Sequence, residues 1–207
     1  MTVAVSAPLS ASPLQTENLL PSLCPSEELN GVKLCDDGFS DSPASIQLSR
    51  TLSMAMLHSE GSTVTRISRR SLDDMGLTVR RAWDAAAINL QRRALTDQGL
   101  RFFTRPADHS LHNAPGCLEV RAHRSLASSW LAHPQTFTLL DNHLLRITHG
   151  QQITYLVPDA HTLYALVDVS VQQATELACR ANELRPRHRP TLSLQPLVLA
   201  NGFPVEV

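Results

Sequence analysis

Lysine, aromatic residues and charge are all scarce in this 207-residue sequence. Lys33 is the only lysine, aromatic residues make up 4% of the chain and charged residues 18%. The formal net charge is -1, so the chain as a whole is not expected to be drawn strongly to nucleic acids or to acidic membranes. Hydrophobic residues still make up 43%, which is enough for a packed core within one ordinary domain.

The sequence also lacks the short motifs that mark common catalytic and cofactor sites. No Gly-x-Ser-x-Gly motif is present and the glycines occur singly, so neither a nucleophile elbow nor a glycine-rich phosphate loop is predicted, and no cofactor is expected. The cysteines lie far apart without Cys-x-x-Cys spacing, which favours free thiols over a disulfide framework or a four-cysteine zinc site. They are Cys24, Cys35, Cys117 and Cys179.

The N-terminal residues have neither the basic start nor the apolar run of a secretory signal, and no later segment has the length of a membrane span. These features predict a soluble, cytoplasmic protein. Residues 1–26 are rich in Ser, Pro, Ala and Thr, and their isolated leucines follow neither a strand nor a helix period. We therefore expect a disordered extension over residues 1–26 and a single α+β domain over residues 27–207.

The first part of the predicted domain combines strands with one helix. Residues 31–41 place a turn between two short apolar pairs, which is typical of two short strands joined by a tight turn. Residues 42–58 are predicted to be helical, because Ser42 and Pro43 supply a cap and a first-turn proline. The alternation over Thr63–Ser68 predicts a half-buried strand.

The clearest predicted helix follows Thr78, and its apolar residues recur at helical spacing as far as Ala94. Trp83 lies on the apolar stripe of this helix and is expected to be part of the core. Asn89 lies beside the stripe, where a buried amide has to be hydrogen-bonded. We therefore expect Asn89 to hold the helix against the neighbouring sheet.

The second half is predicted to be richer in strands. Predicted strands cover Leu100–Thr104, Cys117–Arg121, Gln151–Pro158, Thr162–Val169 and Thr191–Leu199, and Asn201-Gly202 makes the turn of a closing hairpin. A short helix near Leu126–Leu131 is expected to be stopped by Pro134, and a longer one over Val171–Leu184 is expected to be capped by Asp168. These elements predict an α+β fold with a mainly antiparallel sheet and helices packed on one face.

Three segments of the sequence are similar to segments of a known protein family. They are Thr65–Leu90, whose helix has an Ala-x-x-Asn-Leu pattern at its end, Ile153–Val169, with a Val-Pro turn between two strands, and Thr191–Val207, with a hairpin. Together they resemble the YtpQ family of bacterial proteins of unknown function. The resemblance covers about residues 64–207 and implies a bacterial protein with an α+β fold, without a substrate, cofactor or catalytic residue. The first 60 residues do not resemble the longer N-terminal part of that family, so we expect a shortened relative.

Basic and acidic residues are unevenly distributed along the chain. Residues 1–63 hold seven acidic and two basic residues, whereas residues 64–105 hold nine arginines and four acidic residues. The surface from Arg66 to Arg93 could contact nucleic-acid phosphates, and its candidate binding residues are Arg69, Arg70, Arg80 and Arg81. Because charge runs are usually solvated, solvent exposure or pairing with the acidic residues at positions 17–41 is the favoured interpretation.

A weak metal-like pattern occurs in a loop of the second half. It comprises His109, His112, Cys117 and His123. The spacing matches no closed zinc motif, and histidines in a loop bounded by proline and glycine commonly face solvent, so no metal site is predicted.

The sequence therefore favours a non-enzymatic binding or interaction module, with another protein as the expected partner and no membrane association. An enzyme with a dispersed active site is the first alternative, because scattered serines and histidines can meet in a fold without leaving a motif. Nucleic-acid binding through the Arg66–Arg93 surface is the second alternative.

Overall fold

The computed structural model describes residues 14–29, 41–61, 63–112 and 114–207. The first sheet contains β1 (Leu19–Pro25), β2 (Ser45–Gln47), β3 (Leu52–Glu60) and β4 (Thr63–Arg66), and β5 (Leu95–Thr96) and β6 (Gly99–Leu100) form a small hairpin. The second sheet contains β7 (Phe102–Pro106), β8 (Cys117–Ala122), β9 (Ile153–Asp159), β10 (Thr162–Val167), β11 (Leu197–Ala200) and β12 (Phe203–Glu206). The α-helices are α1 (Arg69–Asp74), α2 (Val79–Ala94), α3 (Pro134–Ile147) and α4 (Val171–Leu184).

Both sheets are antiparallel. In the first, β3 pairs with β1 along its length, and its other edge pairs with β2 and then with β4. The second sheet has the strand order β12-β11-β9-β10-β8-β7, and the predicted hairpins β9–β10 and β11–β12 lie within it. The predicted α+β fold with antiparallel sheets is confirmed.

Helices lie on both faces of the second sheet, whereas one face was expected. Tyr155 on β9 packs edge-to-face against Phe137 of α3, with ring centroids 5.0 Å apart. The next residue, Leu156, points to the opposite face because side chains alternate along a strand, and it belongs to a cluster with Leu177 and Ala178 of α4. The second sheet is therefore the middle layer of this part of the molecule.

The main core joins the two sheets through α2. Trp83 on α2 is 4% exposed, which confirms its predicted place in the core. Asn89 is also buried, and its Nδ2 donates hydrogen bonds to the backbone carbonyls of Thr16 (2.7 Å) and Leu19 (3.1 Å). The predicted role of Asn89 is confirmed, since these bonds fasten α2 to the start of β1.

Residues 19–25 overturn part of the expected disordered extension. They form β1, in which Leu19 and Leu23 are buried against the main core. Residues 1–13, which complete that prediction, lie outside the described residues. Leu19, Pro21 and Leu23 alternate as strand residues do, and the two prolines of β1 lie on a strand paired along one edge only, where they cost few hydrogen bonds.

The helix predicted over residues 42–58 is wrong. That segment contains β2 and β3 instead, and β3 is buried from Leu52 to Met56 because strands lie on both of its edges and α2 lies near it. Met and Ala favour helices in isolation, but this burial outweighs that preference. A strand–turn–strand unit was also predicted at residues 31–41. All of these residues except Asp41 lie outside the described residues.

Of two predictions about helix ends, one is confirmed and one is wrong. The short helix expected near Leu126–Leu131 is present as the 3-10 helix Ala127–Ala132, which ends before Pro134 as predicted. Pro134 itself starts α3, because its fixed φ suits the first turn and its missing N–H is not needed there. Asp168 has a φ of 51° and does not cap α4; the cap is Ser170, which exchanges hydrogen bonds with Gln173 in a capping box. The strand at Thr63–Arg66 is present, but all four of its residues are exposed.

Two further contacts tie distant parts of the chain together. Glu206 on β12 accepts hydrogen bonds from Ser49 Oγ (2.7 Å) and from the backbone N–H of Thr51 (2.9 Å), which lie between β2 and β3. Gly202, in the β11–β12 turn, lies directly against Pro134. Among the described residues, no helix combines the length and apolar character needed to cross a bilayer.

Candidate functional site

The face of the second sheet that α4 covers is open at one end. Tyr164 on β10 is buried in a cluster with Leu177 of α4. Glu119 on β8 lies opposite Tyr164 in the strand register, so Glu119 and, two residues on, Arg121 share that face. Phe103 on β7 lies opposite Arg121, and both are exposed. We call this open end, with Arg105, Glu119, Arg121, His161 and Arg189, the arginine cleft.

Glu119 lies at the centre of the arginine cleft, and its side chain is only 10% exposed. Its Oε2 accepts hydrogen bonds from Arg105 Nε (2.9 Å), Arg105 Nη2 (2.6 Å) and Ser110 Oγ (3.1 Å). Its Oε1 accepts from Arg121, whose Nε and Nη2 both lie at 2.9 Å. More than half of each arginine side chain faces solvent, so the guanidinium groups are oriented by Glu119 and remain accessible.

These hydrogen bonds keep Glu119 ionised. Burial alone would raise its pKa, but the hydrogen bonds from Arg105, Arg121 and Ser110 outweigh burial and lower the pKa below its usual value. Five donor atoms already surround a carboxylate that has about four lone-pair positions. Glu119 therefore acts as an anchor for two guanidinium groups and has no lone pair left for a ligand.

A second buried carboxylate organises the opposite wall. Asp159 is 1% exposed, and it accepts hydrogen bonds from the backbone N–H of His161 (2.7 Å) and from Thr162 Oγ1 (3.1 Å). Arg189 Nη1 lies 3.5 Å from Asp159 Oδ1. Arg185 donates to the backbone carbonyl of Arg189, which holds the segment after α4 in position.

Two adjoining cavities form the arginine cleft. The first has a volume of about 330 Å³ and is lined by polar residues that include Glu119, Arg121, Ser125, His161, Thr162 and Arg189. The second has a volume of about 460 Å³ and is lined by residues that include Phe103, Arg105, Glu119, Arg121, His123 and Arg124. Glu119, Arg121 and Ala122 line both cavities. Four arginines line the two cavities, Arg105, Arg121, Arg124 and Arg189, against the lining carboxylate of Glu119 and the carboxylate of Asp159 behind Arg189, so the cleft has excess positive charge.

The arginines predicted as binding residues lie elsewhere, on and before α2. Arg70 Nε lies 3.8 Å from Asp41 Oδ1, and Arg80 Nε lies 3.7 Å from Asp84 Oδ2. Arg69 and Arg81 are exposed. Arg66, at the edge of the same surface, pairs with Glu28 at 3.2 Å. The pairs with Asp41 and Glu28 are of the kind expected from the acidic residues at 17–41.

The metal-like histidines and Cys117 are not assembled into a metal centre among the described residues, where no group of three or more His, Cys, Asp or Glu side chains could hold an ion. Cys117 is buried beneath α4, and burial raises the pKa of its thiol to about 11. His109 and His112 are exposed, as expected of loop histidines.

A histidine–aspartate pair lies outside the arginine cleft, at the start of α3. His133 Nε2 lies 3.2 Å from Asp84 Oδ1, while Nδ1 accepts a hydrogen bond from the backbone N–H of Gln135 (3.1 Å). Nε2 therefore carries the proton, and burial lowers the pKa of His133. Because a general base needs a free ring nitrogen, this pair is a helix cap and not a catalytic dyad.

The sequence contained one signal for the arginine cleft, the alternation of Glu119 and Arg121 on a predicted strand. The rest depends on the register of β7 against β8 and on turns that bring Asp159, His161 and Arg189 together. Comparison of the chain with protein-family models, with curated proteins and with solved structures gives no match. The resemblance to the YtpQ family stays a prediction.

Proposed function

We propose that this protein is a binding module that holds an anionic ligand group, a carboxylate or a phosphate, in the arginine cleft. The observation that carries the proposal is the position of Arg121, His161 and Arg189 on the wall of one cavity. A guanidinium group offers several N–H donors in a planar fork that matches both kinds of anion.

The pairing of the two carboxylates supports an anion over a cation. Glu119 and Asp159 would attract a metal ion or an amine if their oxygens were free. Both are already occupied, Glu119 by Arg105 and Arg121, and Asp159 by backbone and hydroxyl donors with Arg189 beside it. The carboxylates already hold the guanidinium groups in position before an anion binds. The entropy cost of ordering these side chains on binding is therefore lower.

The chemistry of the cleft supports binding over catalysis. Glu119 is ionised but fully engaged in hydrogen bonds, so it cannot accept a proton from a ligand without losing an arginine. Cys117, the nearest thiol on β8, is buried under α4 with a raised pKa. The expectation of a protein partner stays a prediction, and a partner at this site would have to present a carboxylate or phosphate group.

A titration with inorganic phosphate, at constant ionic strength set with chloride, tests this proposal. We expect saturable shifts of the arginine side-chain NMR signals of Arg121 and Arg189. Arg121→Gln and Arg189→Gln should each weaken binding about ten-fold, because a hydrogen bond to a charged group contributes about 1.5 to 3 kcal/mol. Arg92→Gln, at an exposed position of α2, is the matched control and should bind as the wild type does. Equal weakening by all three variants, or no saturation, would contradict the proposal.

A further inference from the structure

Phe103 is an exposed aromatic ring in an otherwise polar part of the surface. It lies on β7 opposite Arg121, and 43% of the residue is exposed. Among the large hydrophobic residues that are exposed in the described part of the chain, Phe103 alone is aromatic. Cross-strand neighbours have Cβ atoms about 5 Å apart, so a ligand that touches Phe103 is within reach of Arg121.

Arg101 gives this ring a second planar surface. Its guanidinium carbon lies 4.8 Å from the centroid of Phe103. A guanidinium group stacks on aromatic rings through its flat face, and a nucleobase stacks on either group for the same reason. Phe103 lines the cavity that contains Arg105 and Arg121, and Arg101 lies over the ring of Phe103, so the two side chains form a stacking platform beside that cavity.

We propose that the anionic ligand is a nucleotide, with its base stacked on the platform of Arg101 and Phe103 and its phosphate bound by Arg121 and Arg189. This inference rests on the proposed function, and it assigns the ligand class. The two cavities of about 330 and 460 Å³ share Glu119 and Arg121 as lining residues, so in this proposal the ligand lies across Arg121, with its base on the platform side and its phosphate on the Arg189 side.

The single platform favours one nucleotide over single-stranded RNA. Proteins that bind single strands stack successive bases on several aromatic side chains. The other aromatic residues of the second sheet, Phe102, Tyr155, Tyr164 and Phe203, are buried or half-buried. One exposed ring therefore provides a position for one base.

The test compares three ligands that differ by one part: AMP, ribose 5-phosphate and adenosine. We expect AMP to bind about ten-fold more tightly than ribose 5-phosphate, because stacking on an aromatic side chain contributes about 1 to 3 kcal/mol per base. Phe103→Ala should remove this difference and leave ribose 5-phosphate binding unchanged. Phe103→Tyr should keep it, and Ile88→Ala, at an exposed apolar position on α2, should have no effect.

The outcomes separate the two proposals. If AMP and ribose 5-phosphate bind equally and both depend on Arg121, the nucleotide inference fails and the anion-binding function stands. If neither binds, both fail. If a seven-nucleotide RNA binds more than ten-fold tighter than AMP in a manner that Phe103→Ala abolishes, the site takes single-stranded RNA and the single-nucleotide inference is overturned.

Discussion

The indole N–H of Trp83 donates a hydrogen bond of 2.8 Å to the backbone carbonyl of Ala132. This bond joins α2 to the 3-10 turn Ala127–Ala132 that precedes α3. The indole also contacts the ring of His133 edge-to-face, with centroids 4.5 Å apart, and lies 6.5 Å from the ring of Phe203. One side chain therefore connects α2, the start of α3 and β12.

Two substitutions of Trp83 measure separately how much its hydrogen bond and its packing contribute to stability. Trp83→Phe removes the N–H and leaves the carbonyl of Ala132 buried without this donor, which should cost about 1 to 3 kcal/mol of the free energy of unfolding. Trp83→Ala also empties the ring's volume and should cost about 3 to 5 kcal/mol. Urea denaturation measures both values. A Trp83→Ala cost no greater than that of Trp83→Phe would show that the ring does not pack as described.

Deleting residues 1–26 should strongly destabilise the protein. The deletion removes β1, which is paired with β3 along its length and fastened to α2 by Asn89. A shorter deletion of residues 1–13 keeps β1 and is the control. Thermal unfolding compares the two, and similar melting temperatures for both deletions would mean that β1 contributes little.

The elements that the sequence predicted correctly carry their own local signals. The helix after Thr78 has a cap and a continuous apolar stripe, and the hairpin at Asn201-Gly202 has a turn pair that adopts positive φ readily. β3 carries conflicting local signals, because Leu52, Met54 and Met56 satisfy a strand period whereas Met and Ala favour helices. Its conformation is decided by pairing with β1, β2 and β4, which is tertiary information.

The arginine cleft was harder to predict than the fold. Arg105 meets Glu119 only because β7 and β8 pair in one register, and Arg189 meets Asp159 across a separation of 30 residues. The arginines selected from the sequence formed the densest run along the chain, but density along the chain does not determine which guanidinium groups converge in space.

Gly202 should tolerate substitution far less well than Gly150. Both have positive φ, 87° and 82°, so alanine strains the backbone at either position by about 1 to 2 kcal/mol. A Cβ at Gly202 would also lie 2.7 Å from Pro134 Cβ and 3.3 Å from its Cα, whereas nothing lies within 4 Å of one at Gly150. Gly202→Ala should therefore cost about 1 to 3 kcal/mol more than Gly150→Ala in chemical denaturation. Equal costs would show that the turn moves away from α3 freely.

Acid should weaken the contact between Glu206 and Thr51. Burial alone would raise the pKa of Glu206, but hydrogen bonds from Thr51 and Ser49 outweigh it and lower the pKa to about 2. A lowered carboxylate pKa stabilises the fold above the ordinary value of 4.5, and this contribution is lost as pH falls from about 4.5 to about 2. Glu206→Gln should be less stable than the wild type at neutral pH and equally stable near pH 2, as measured by denaturation across that range. A constant difference at all pH values would contradict this assignment.

The same contact has a consequence for the order of folding events. Thr51 and Glu206 are separated by 155 residues, so their hydrogen bond closes one of the longest loops the chain can make, and the entropy of that closure is lost before the contact forms. We expect the bond to be absent from the folding transition state and therefore to affect only the rate of unfolding. Glu206→Gln should then accelerate unfolding in stopped-flow experiments and leave the refolding rate unchanged. The carboxylate of Glu206 would therefore slow unfolding without contributing to the rate of folding.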